Sequence, residues 1–260
     1  AMAELTGEWK RPESTALLEG SYVDAYFSGE LKQFRVAHPE MFKRDGTLKS
    51  EFLKAHAAAE RLYYDDLARL LLSGAHQTIK TVKIGGVWFK AKFDSLLSAR
   101  QVKESCEVFP ELKHLVPFGG AMIVDLKYMR DFEPIWSEEE REKVSFIKYW
   151  GYDIQAAVYQ EIVRQNTGKK LPFLFVVATK ETPAHLALGE ISQWNMDEAL
   201  DTVKKNIVRF QKIKTGELQA ERCEDYNCDF CAFTKIITEP IDTDLFGMST
   251  AQINAMNGNI

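Results

Sequence analysis

Two acidic residues and one lysine near the middle of the chain could together perform metal-dependent chemistry. Asp94 closes the strand-like run 90–93, and Asp125 lies within the strand-like run 123–127. Because side chains i and i+2 of a strand point to the same side, Asp125 and Lys127 project from one face. If the two strands pair, Asp94 joins them. Two carboxylates and an amine at one point are suited to binding a hard divalent ion and cutting a phosphodiester.

The oxygen-rich character of this set predicts Mg²⁺ as the ion, with Mn²⁺ able to replace it. The backbone carbonyl of Leu126 lies between the acid and the lysine and could be a further ligand. Nearby carboxylates raise the pKa of a lysine, so Lys127 should be protonated when no metal is bound. Two roles therefore stay open for Lys127. It becomes a base only when metal is present, or it acts as a cation that positions hydroxide and stabilises the transition state.

A helix around residue 155 is predicted to carry a second polar cluster. Lys148, Tyr152, Gln155 and Tyr159 follow the spacing i, i+4, i+7 and i+11, which places all four on one helix face. Such a face could bind a phosphate and orient a water molecule. The same spacing also fits an ordinary amphipathic helix whose tyrosines border the core.

Composition limits the classes of function that the chain can have. The 260 residues carry a formal net charge of −5, which counts against a basic surface that binds polyanions everywhere. A local basic groove remains compatible with that charge, and Lys80, Lys83, Lys90 and Lys92 are candidates for one, with Lys92 assigned to substrate binding. The competing interpretation is a solvated strand face.

The cysteines and the hydropathy indicate where the protein works. Four cysteines are too few for a secreted disulfide framework, and no apolar run approaches the length of a membrane span. We therefore expect a cytoplasmic protein with no membrane contact. The spacing of Cys223, Cys228 and Cys231 could supply three ligands to zinc or an iron–sulfur cluster, but reduced structural thiols are the favoured interpretation.

The periodicity predicts an α/β fold with a mixed central sheet, built from two hairpins and the Asp125 strand and flanked by helices. One domain is expected, with its core at about 13–215 and a cysteine-containing tail at 216–260. Segments 30–48 and 99–119 are expected to be irregular or undetermined. The predicted helices are 14–28, 49–73, 137–165 with an interruption near Gly151, and 196–214; the predicted strands are 78–84, 87–94, 121–127, 171–179 and 184–191.

Four short motifs occur in a fixed order on these elements: Gly20–Asp24 in a helix, Phe93-Asp94 at the end of a hairpin, Asp125–Lys127 in a strand, and Gln155–Tyr159 in a helix. Together they resemble the PD-(D/E)XK nuclease superfamily over roughly residues 13–191. The closer likeness is to the RecE and lambda-exonuclease branch of phages and prophages. Each motif is weak alone, and the information lies in their order.

The resemblance implies a restriction-endonuclease-like fold and a role for each motif residue. Asp94 and Asp125 would bind the catalytic metal, with Asp24 as a further metal-binding acid, although relatives carry His or Glu at that position. Lys127 would serve the attacking water. Gln155 and Tyr159 would hold the scissile phosphate or the lysine. Tyr152 and Lys148 lie outside the motif, and the helix spacing described above makes them candidate substrate-binding residues.

The resemblance also implies an activity and partners. The implied activity is Mg²⁺-dependent exonuclease digestion of one strand from a duplex DNA end, feeding a single-strand annealing protein in phage-type recombination, and ring-shaped homo-oligomers are typical of this branch. An endonuclease or repair nuclease of the same superfamily is the alternative enzyme. A DNA-binding scaffold without turnover is the alternative from another class, and the intact Asp94, Asp125 and Lys127 argue against it.

Overall fold

The computed structural model describes residues 14–116, 120–137 and 140–219, together with Gly7, Lys10 and a few short pieces between 232 and 248. The chain divides into two compact units. One unit comprises residues 13–207 and holds every residue predicted to act in catalysis, divalent-metal binding or substrate binding, and the other comprises residues 1–12 and 208–260.

Helices and strands are mixed through the described ranges, with four helices preceding the first strand. Short 3₁₀ turns lie at Pro39–Met41, Pro110–His114 and Thr243–Leu245. The helices are α1 Thr15–Phe27, α2 Leu31–Ala37, α3 Ser50–Tyr64, α4 Asp66–Leu71, α5 Ala99–Val108, α6 Phe146–Tyr149, α7 Tyr152–Thr167 and α8 Gln193–Lys214. The strands are β1 Thr78–Ile84, β2 Val87–Phe93, β3 Ser95–Leu97, β4 Met122–Met129, β5 Ile135–Ser137, β6 Glu142–Val144, β7 Phe173–Thr179 and β8 Leu186–Glu190.

A four-stranded mixed sheet in the order β3-β4-β7-β8 is the centre of the fold. Strands β4 and β7 are parallel, and the two outer pairs are antiparallel. Every residue of β7 is buried, as expected for an apolar strand covered on both faces. The predicted fold class, a mixed central sheet flanked by helices, is confirmed.

The two faces of the sheet are covered by different elements. Val124 and Leu126 of β4 belong to a core formed with α1, α3, α4 and α5. Ile123 of β4 belongs to a second core formed with α7, α8 and the β1–β2 hairpin. Because side chains alternate along a strand, Asp125 and Lys127 share the side of Ile123 and face α7.

Several predicted elements are confirmed. Helix α1 begins after Ser14, whose hydroxyl accepts a hydrogen bond from the Leu17 N–H at 3.3 Å. Strands β1 and β2 form the predicted hairpin, and Gly85 and Gly86 both have positive φ, as its tight turn requires. Strands β7 and β8 form the second predicted pair.

The predicted helix start at Ser137 is wrong. Ser137 is the last residue of β5, which pairs with β6 as a small hairpin. The helical segment begins only at α6, where the Ser145 hydroxyl caps the Lys148 N–H at 3.4 Å. It then breaks at Gly151, which has φ of 65°, so the predicted interruption is confirmed.

Three further predictions need correction. The segment 49–73 forms two helices, because the Asp65 carboxylate caps a new helix by accepting from the Ala68 N–H at 2.8 Å. Segment 30–48 contains helix α2 and is not irregular throughout. The first hairpin forms a two-stranded sheet of its own, and the short strand β3 after Asp94 joins the central sheet instead.

Candidate active site

Asp94 lies between β2 and β3, at the point where the chain passes from the hairpin into the central sheet. Strand β3 pairs with β4 so that Ser95 lies opposite Val124, which places Asp94 beside the middle of β4. The Asp94 Oδ2 atom accepts a hydrogen bond from the Leu126 N–H at 2.9 Å. The predicted approach of Asp94 to the Asp125 strand is therefore confirmed.

Asp125 and Lys127 form a buried ion pair beside Asp94. Asp125 is only 2% exposed, and its Oδ2 atom lies 2.6 Å from the Lys127 Nζ atom. Gln155 of α7 contacts both groups, because its amide nitrogen donates to Asp125 Oδ1 at 2.9 Å and its oxygen accepts from Lys127 Nζ at 2.9 Å. The Lys127 ammonium also lies 4.3 Å from the centre of the Tyr152 ring.

The acids repel one another electrostatically, and they are poorly solvated. Burial, together with the negative charges of Asp125 and Asp24, raises the pKa of Asp94 to about 7. Burial also raises the pKa of Asp125, although the Lys127 ammonium opposes that effect. The cluster therefore has one ammonium, that of Lys127, against the three carboxyl groups of Asp24, Asp94 and Asp125, and this shortage of positive charge favours binding of a further cation.

Lys127 is held in its charged form. Burial by itself would lower the pKa of Lys127, but the nearby Asp125 carboxylate and the weaker effects of Tyr152 and Asp94 bring that pKa above its ordinary value. With its ammonium paired to Asp125 and Gln155, Lys127 is a fixed cation and cannot accept a proton in this state.

Asp24 of α1 is held by a residue that the sequence did not single out. The side-chain amide of Gln77 donates to both Asp24 oxygens, at 3.2 and 3.1 Å. Burial raises the pKa of Asp24, and this Gln77 contact opposes the rise. Gln77 lies 53 residues away along the chain, and no sequence pattern links it to Asp24. Beside it, the His76 Nδ1 atom lies 2.7 Å from the Asp94 carbonyl oxygen.

The donor chemistry of the cluster fits a hard divalent cation. Among the described residues, the buried Oδ2 atom of Asp125 has no hydrogen bond of ordinary geometry, and its neighbour is the Lys127 ammonium. Asp94 and Asp125 offer carboxylate oxygens, which suit Mg²⁺ and Mn²⁺. No three His, Cys, Asp or Glu side chains within the described ranges are close enough to form a complete metal site. Asp24 therefore does not complete a preformed set of three carboxylates with Asp94 and Asp125.

Comparison with known proteins places the chain in a family. Residues 1–103 and 117–234 match the family described as a PDDEXK-like domain of unknown function (DUF3799). The chain belongs to this family. The resemblance to PD-(D/E)XK nucleases is thus confirmed, and a nuclease is the activity that these findings support.

A solved structure agrees with the PDDEXK-like assignment. The crystal structure of a protein named "putative exonuclease" from Eubacterium rectale is 38% identical to this chain. The match has a TM-score of 0.78 and covers 95% of this chain and 85% of that one. No curated protein matches this chain. None of the helices in the described ranges is long and apolar enough to span a bilayer.

Gln155, Tyr152 and Tyr159 of this PDDEXK-like domain share one face of α7, as predicted. Tyr152 stacks on Lys127, whereas the Tyr159 hydroxyl donates to the backbone carbonyl of Lys92 at 3.2 Å. The Tyr159 ring also packs against Phe93, with the ring centres 5.0 Å apart. Tyr159 therefore fixes the hairpin that carries Asp94, and Tyr152 and Gln155 contact the lysine itself.

Lys148 does not share that face, and its predicted placement is wrong. It lies in α6, before the break at Gly151, and its ammonium is paired with Glu140 at 2.8 Å. The exposed Lys92 lies two residues before Asp94 and has an electrostatic effect on Asp24. The three cysteines Cys223, Cys228 and Cys231, for which the sequence favours reduced thiols over a metal site, lie outside the described residues.

Proposed function

We propose that this chain is a Mg²⁺-dependent exodeoxyribonuclease that hydrolyses phosphodiester bonds from the ends of duplex DNA. The observation that carries the proposal is the convergence of Asp94, Asp125, Lys127 and Gln155 beside the middle of β4. Membership of a PDDEXK-like family supports the hydrolysis of a phosphodiester. The exonuclease name of the Eubacterium rectale protein supports action at DNA ends.

Asp94 and Asp125 would hold the metal, with the Leu126 carbonyl as a further oxygen ligand. When bound, Mg²⁺ would neutralise phosphate charge and make a nearby water more acidic. The Asp94 carboxylate is kept in place by the Leu126 N–H, which leaves the second Asp94 oxygen for the ion. Asp24 belongs to the same electrostatic cluster, and its shorter reach suggests that it acts through a water molecule.

Lys127 acts in this proposal as a positioned cation. Its ammonium is fixed by Asp125, Gln155 and the ring of Tyr152, so it can hold the attacking water or the developing charge on phosphate. The alternative role of general base would require Lys127 to leave Asp125 and lose its proton. The pKa of Lys127, which is raised, favours the cation role.

Gln155 and Tyr159 would keep the site in its working geometry. Gln155 connects the acid to the lysine and thereby restricts both side chains to one arrangement. Tyr159 ties α7 to the hairpin that ends in Asp94. A scissile phosphate would enter between these groups and the exposed Lys92.

The wider setting is proposed by similarity to phage-type exonucleases. In that setting the enzyme works in the cytoplasm as a ring-shaped homo-oligomer and passes its single-stranded product to an annealing protein. Ring formation can be checked by measuring the mass of the protein in solution with and without duplex DNA. A monomer under both conditions would contradict this part of the proposal.

Digestion of two forms of one plasmid with Mg²⁺ tests the activity. An exonuclease degrades the linear form from its ends and leaves the covalently closed circle intact. A nicked circle would instead support the endonuclease alternative. Turnover of neither form, with DNA binding retained, would support the scaffold without catalysis. The variant Asp125→Asn serves as the inactive control.

A further inference from the structure

The outer face of the β1–β2 hairpin combines lysines with a tryptophan that is almost uncovered. Along the hairpin, alternate residues face α7 and solvent. The solvent-facing side of β2 carries Trp88, Lys90 and Lys92, and Lys83 of β1 lies directly opposite Trp88. Trp88 is 69% exposed, and the Lys83 ammonium lies 5.0 Å from the centre of its ring.

The charge of this region differs from that of the rest of the chain. Residues 67–93 contain no Asp or Glu, although the whole sequence has 38 acids and a net charge of −5. Within the described part of the chain, none of the hairpin lysines forms an ion pair. Several other lysines do pair with an acid, namely Lys103, Lys127, Lys148, Lys170, Lys180 and Lys204. The hairpin therefore offers cations that are free to meet a polyanion.

The row of exposed side chains leads to the catalytic carboxylates. Trp88, Lys90 and Lys92 occupy alternate positions on the exposed side of β2, and Asp94 directly follows the end of that strand, two residues after Lys92. At about 3.3 Å per residue, the row is about 20 Å long from Trp88 to Asp94. A DNA strand lying along this row would bring one of its phosphates to the acids.

The hairpin is a rigid support for such contacts. Its inner face is buried against α7 through Val82, Ile84, Ala91 and Phe93. The Gln165 side chain of α7 also donates to the Lys83 carbonyl at 3.1 Å. Binding at the outer face would therefore require no rearrangement of the backbone, and only the exposed side chains would lose freedom.

We propose that the outer face of the β1–β2 hairpin binds a single-stranded stretch of the DNA substrate, with Lys83, Lys90 and Lys92 on its phosphates and Trp88 stacked on an unpaired base. An aromatic ring beside basic residues is the usual means of binding single strands without sequence preference. Stacking requires a base that is free of its partner, so a single strand fits Trp88 better than the interior of a duplex. This inference rests on the proposed nuclease function and names the part of the substrate that the enzyme holds.

Binding of a fluorescein-labelled oligothymidylate, followed by anisotropy with EDTA present, tests the proposal without cleavage. The variant Trp88→Ala should weaken binding about 10-fold, as expected for the loss of one stacked base. Trp194→Ala is the matched control, because Trp194 is 70% exposed on α8, and its removal should leave the affinity unchanged. Both side chains are at the surface, and thermal melting of each variant checks that it remains folded.

Salt dependence tests the lysines separately. Each of Lys83→Ala, Lys90→Ala and Lys92→Ala should reduce the slope of log affinity against log salt by about 0.7. Lys103→Ala, which removes a lysine paired with Glu107, should leave that slope unchanged.

Two results would overturn the proposal. One is equal single-strand affinity for Trp88→Ala and wild type. The other is a change of oligomeric state on mutation without a change in DNA binding, which would make the face an interface between copies. If wild type digests linear DNA and the hairpin variants bind single strands as tightly as wild type, the binding face is refuted and the proposed nuclease function is unaffected. If the hairpin variants lose single-strand binding but wild type digests no DNA, the binding face is supported and the proposed nuclease function is contradicted.

Discussion

Two lysine–acid pairs with buried acids lie on opposite faces of the central sheet, and only one of them belongs to the proposed active site. Lys127 pairs with Asp125 at 2.6 Å and stacks on Tyr152, on the α7 side. Lys180 pairs with Glu19 at 2.6 Å and stacks on Tyr128, on the α1 side. The two pairs are nearly identical as isolated contacts.

The surroundings of the two pairs differ. Around Lys127 lie a second carboxylate, Asp94, whose pKa is raised to about 7, and an amide that contacts both members of the pair. The described contacts of the Lys180–Glu19 pair include no such amide bridge. An ion pair alone therefore does not make an active site. In the proposed mechanism, the added acid Asp94, which has no lysine or arginine paired with it among the described residues, would bind the metal ion.

The largest expected difference between the two faces concerns the acids. Asp125→Asn should reduce cleavage of linear DNA with Mg²⁺ by about 10³-fold or more, because the ion loses a buried charged ligand. Glu19→Gln, the matched change on the other face, should leave the rate within a few-fold of wild type. Rates measured per folded molecule decide the comparison. Comparable losses in both variants would mean that the α7 side has no special role.

Substitutions of Lys127 and Lys180 should have different effects, one on the cleavage rate and the other on the stability of the fold. Lys127→Met should lower the cleavage rate by about 10³-fold because the positioned cation is lost. Lys180→Met should keep the rate of the folded enzyme but lower the free energy of unfolding by about 3 kcal/mol, since Glu19 is 8% exposed and would be left unpaired. Denaturant unfolding and single-turnover cleavage measure the two effects. An active Lys127→Met enzyme would contradict the proposed role of this lysine.

Gln155 should have an intermediate effect. Gln155→Leu removes the amide that holds Asp125 and Lys127 together, and we expect a loss of about 10- to 100-fold in cleavage, as for other residues that orient metal ligands. The control is Asn166→Leu, on the same helix, because the exposed Asn166 side chain donates to the Ile162 carbonyl of that helix and contacts none of the acids. Metal affinity measured by calorimetry should fall for Gln155→Leu alone. Unchanged affinity and rate would show that the bridge is only structural.

The smallest effect concerns Asp94 in the metal-free protein. Its pKa is about 7 in the folded state and 3.8 as an ordinary value, so the folded state keeps a proton that the unfolded chain releases. Stability should therefore fall as the pH rises from about 4 to about 7. Asp94→Asn should remove the part of this dependence that comes from Asp94, leaving the part from Asp24 and Asp125, and should stabilise the metal-free protein at pH 8 by about 1 kcal/mol. Urea unfolding at several pH values checks this, and an unchanged pH dependence in Asp94→Asn would contradict it.

Local patterns predicted the elements that carry the site. Neighbouring residues alone determine three features, which could therefore be predicted from the sequence: the Gly85-Gly86 turn, the alternating strands and the Asp125–Lys127 spacing. The approach of Asp94 to β4 was also predicted, but by the wrong pairing: the hairpin strand β2 was expected to pair with β4, whereas the short strand β3 after Asp94 does so. These features account for the positions of Asp94, Asp125 and Lys127.

Contacts between distant segments could not be predicted in the same way. Gln77 reaches Asp24 across 53 residues, and the Lys180–Glu19 pair joins the end of β7 to α1. The wrong prediction around α6 concerned helix capping. Ser145 caps that helix, whereas the sequence offered Ser137 as an equally suitable capping residue. Local sequence does not distinguish between two serines that could each cap a helix. The pairing of β5 with β6 places Ser137 in a strand and leaves Ser145 as the cap.

A crystal soaked in Mn²⁺ and measured near the manganese absorption edge tests the central claim most directly. An anomalous peak between the Asp94 and Asp125 carboxylates, absent in Asp125→Asn and absent beside Glu19, is the predicted result. A well-ordered crystal with no peak between Asp94 and Asp125, while cleavage still requires metal, would contradict it.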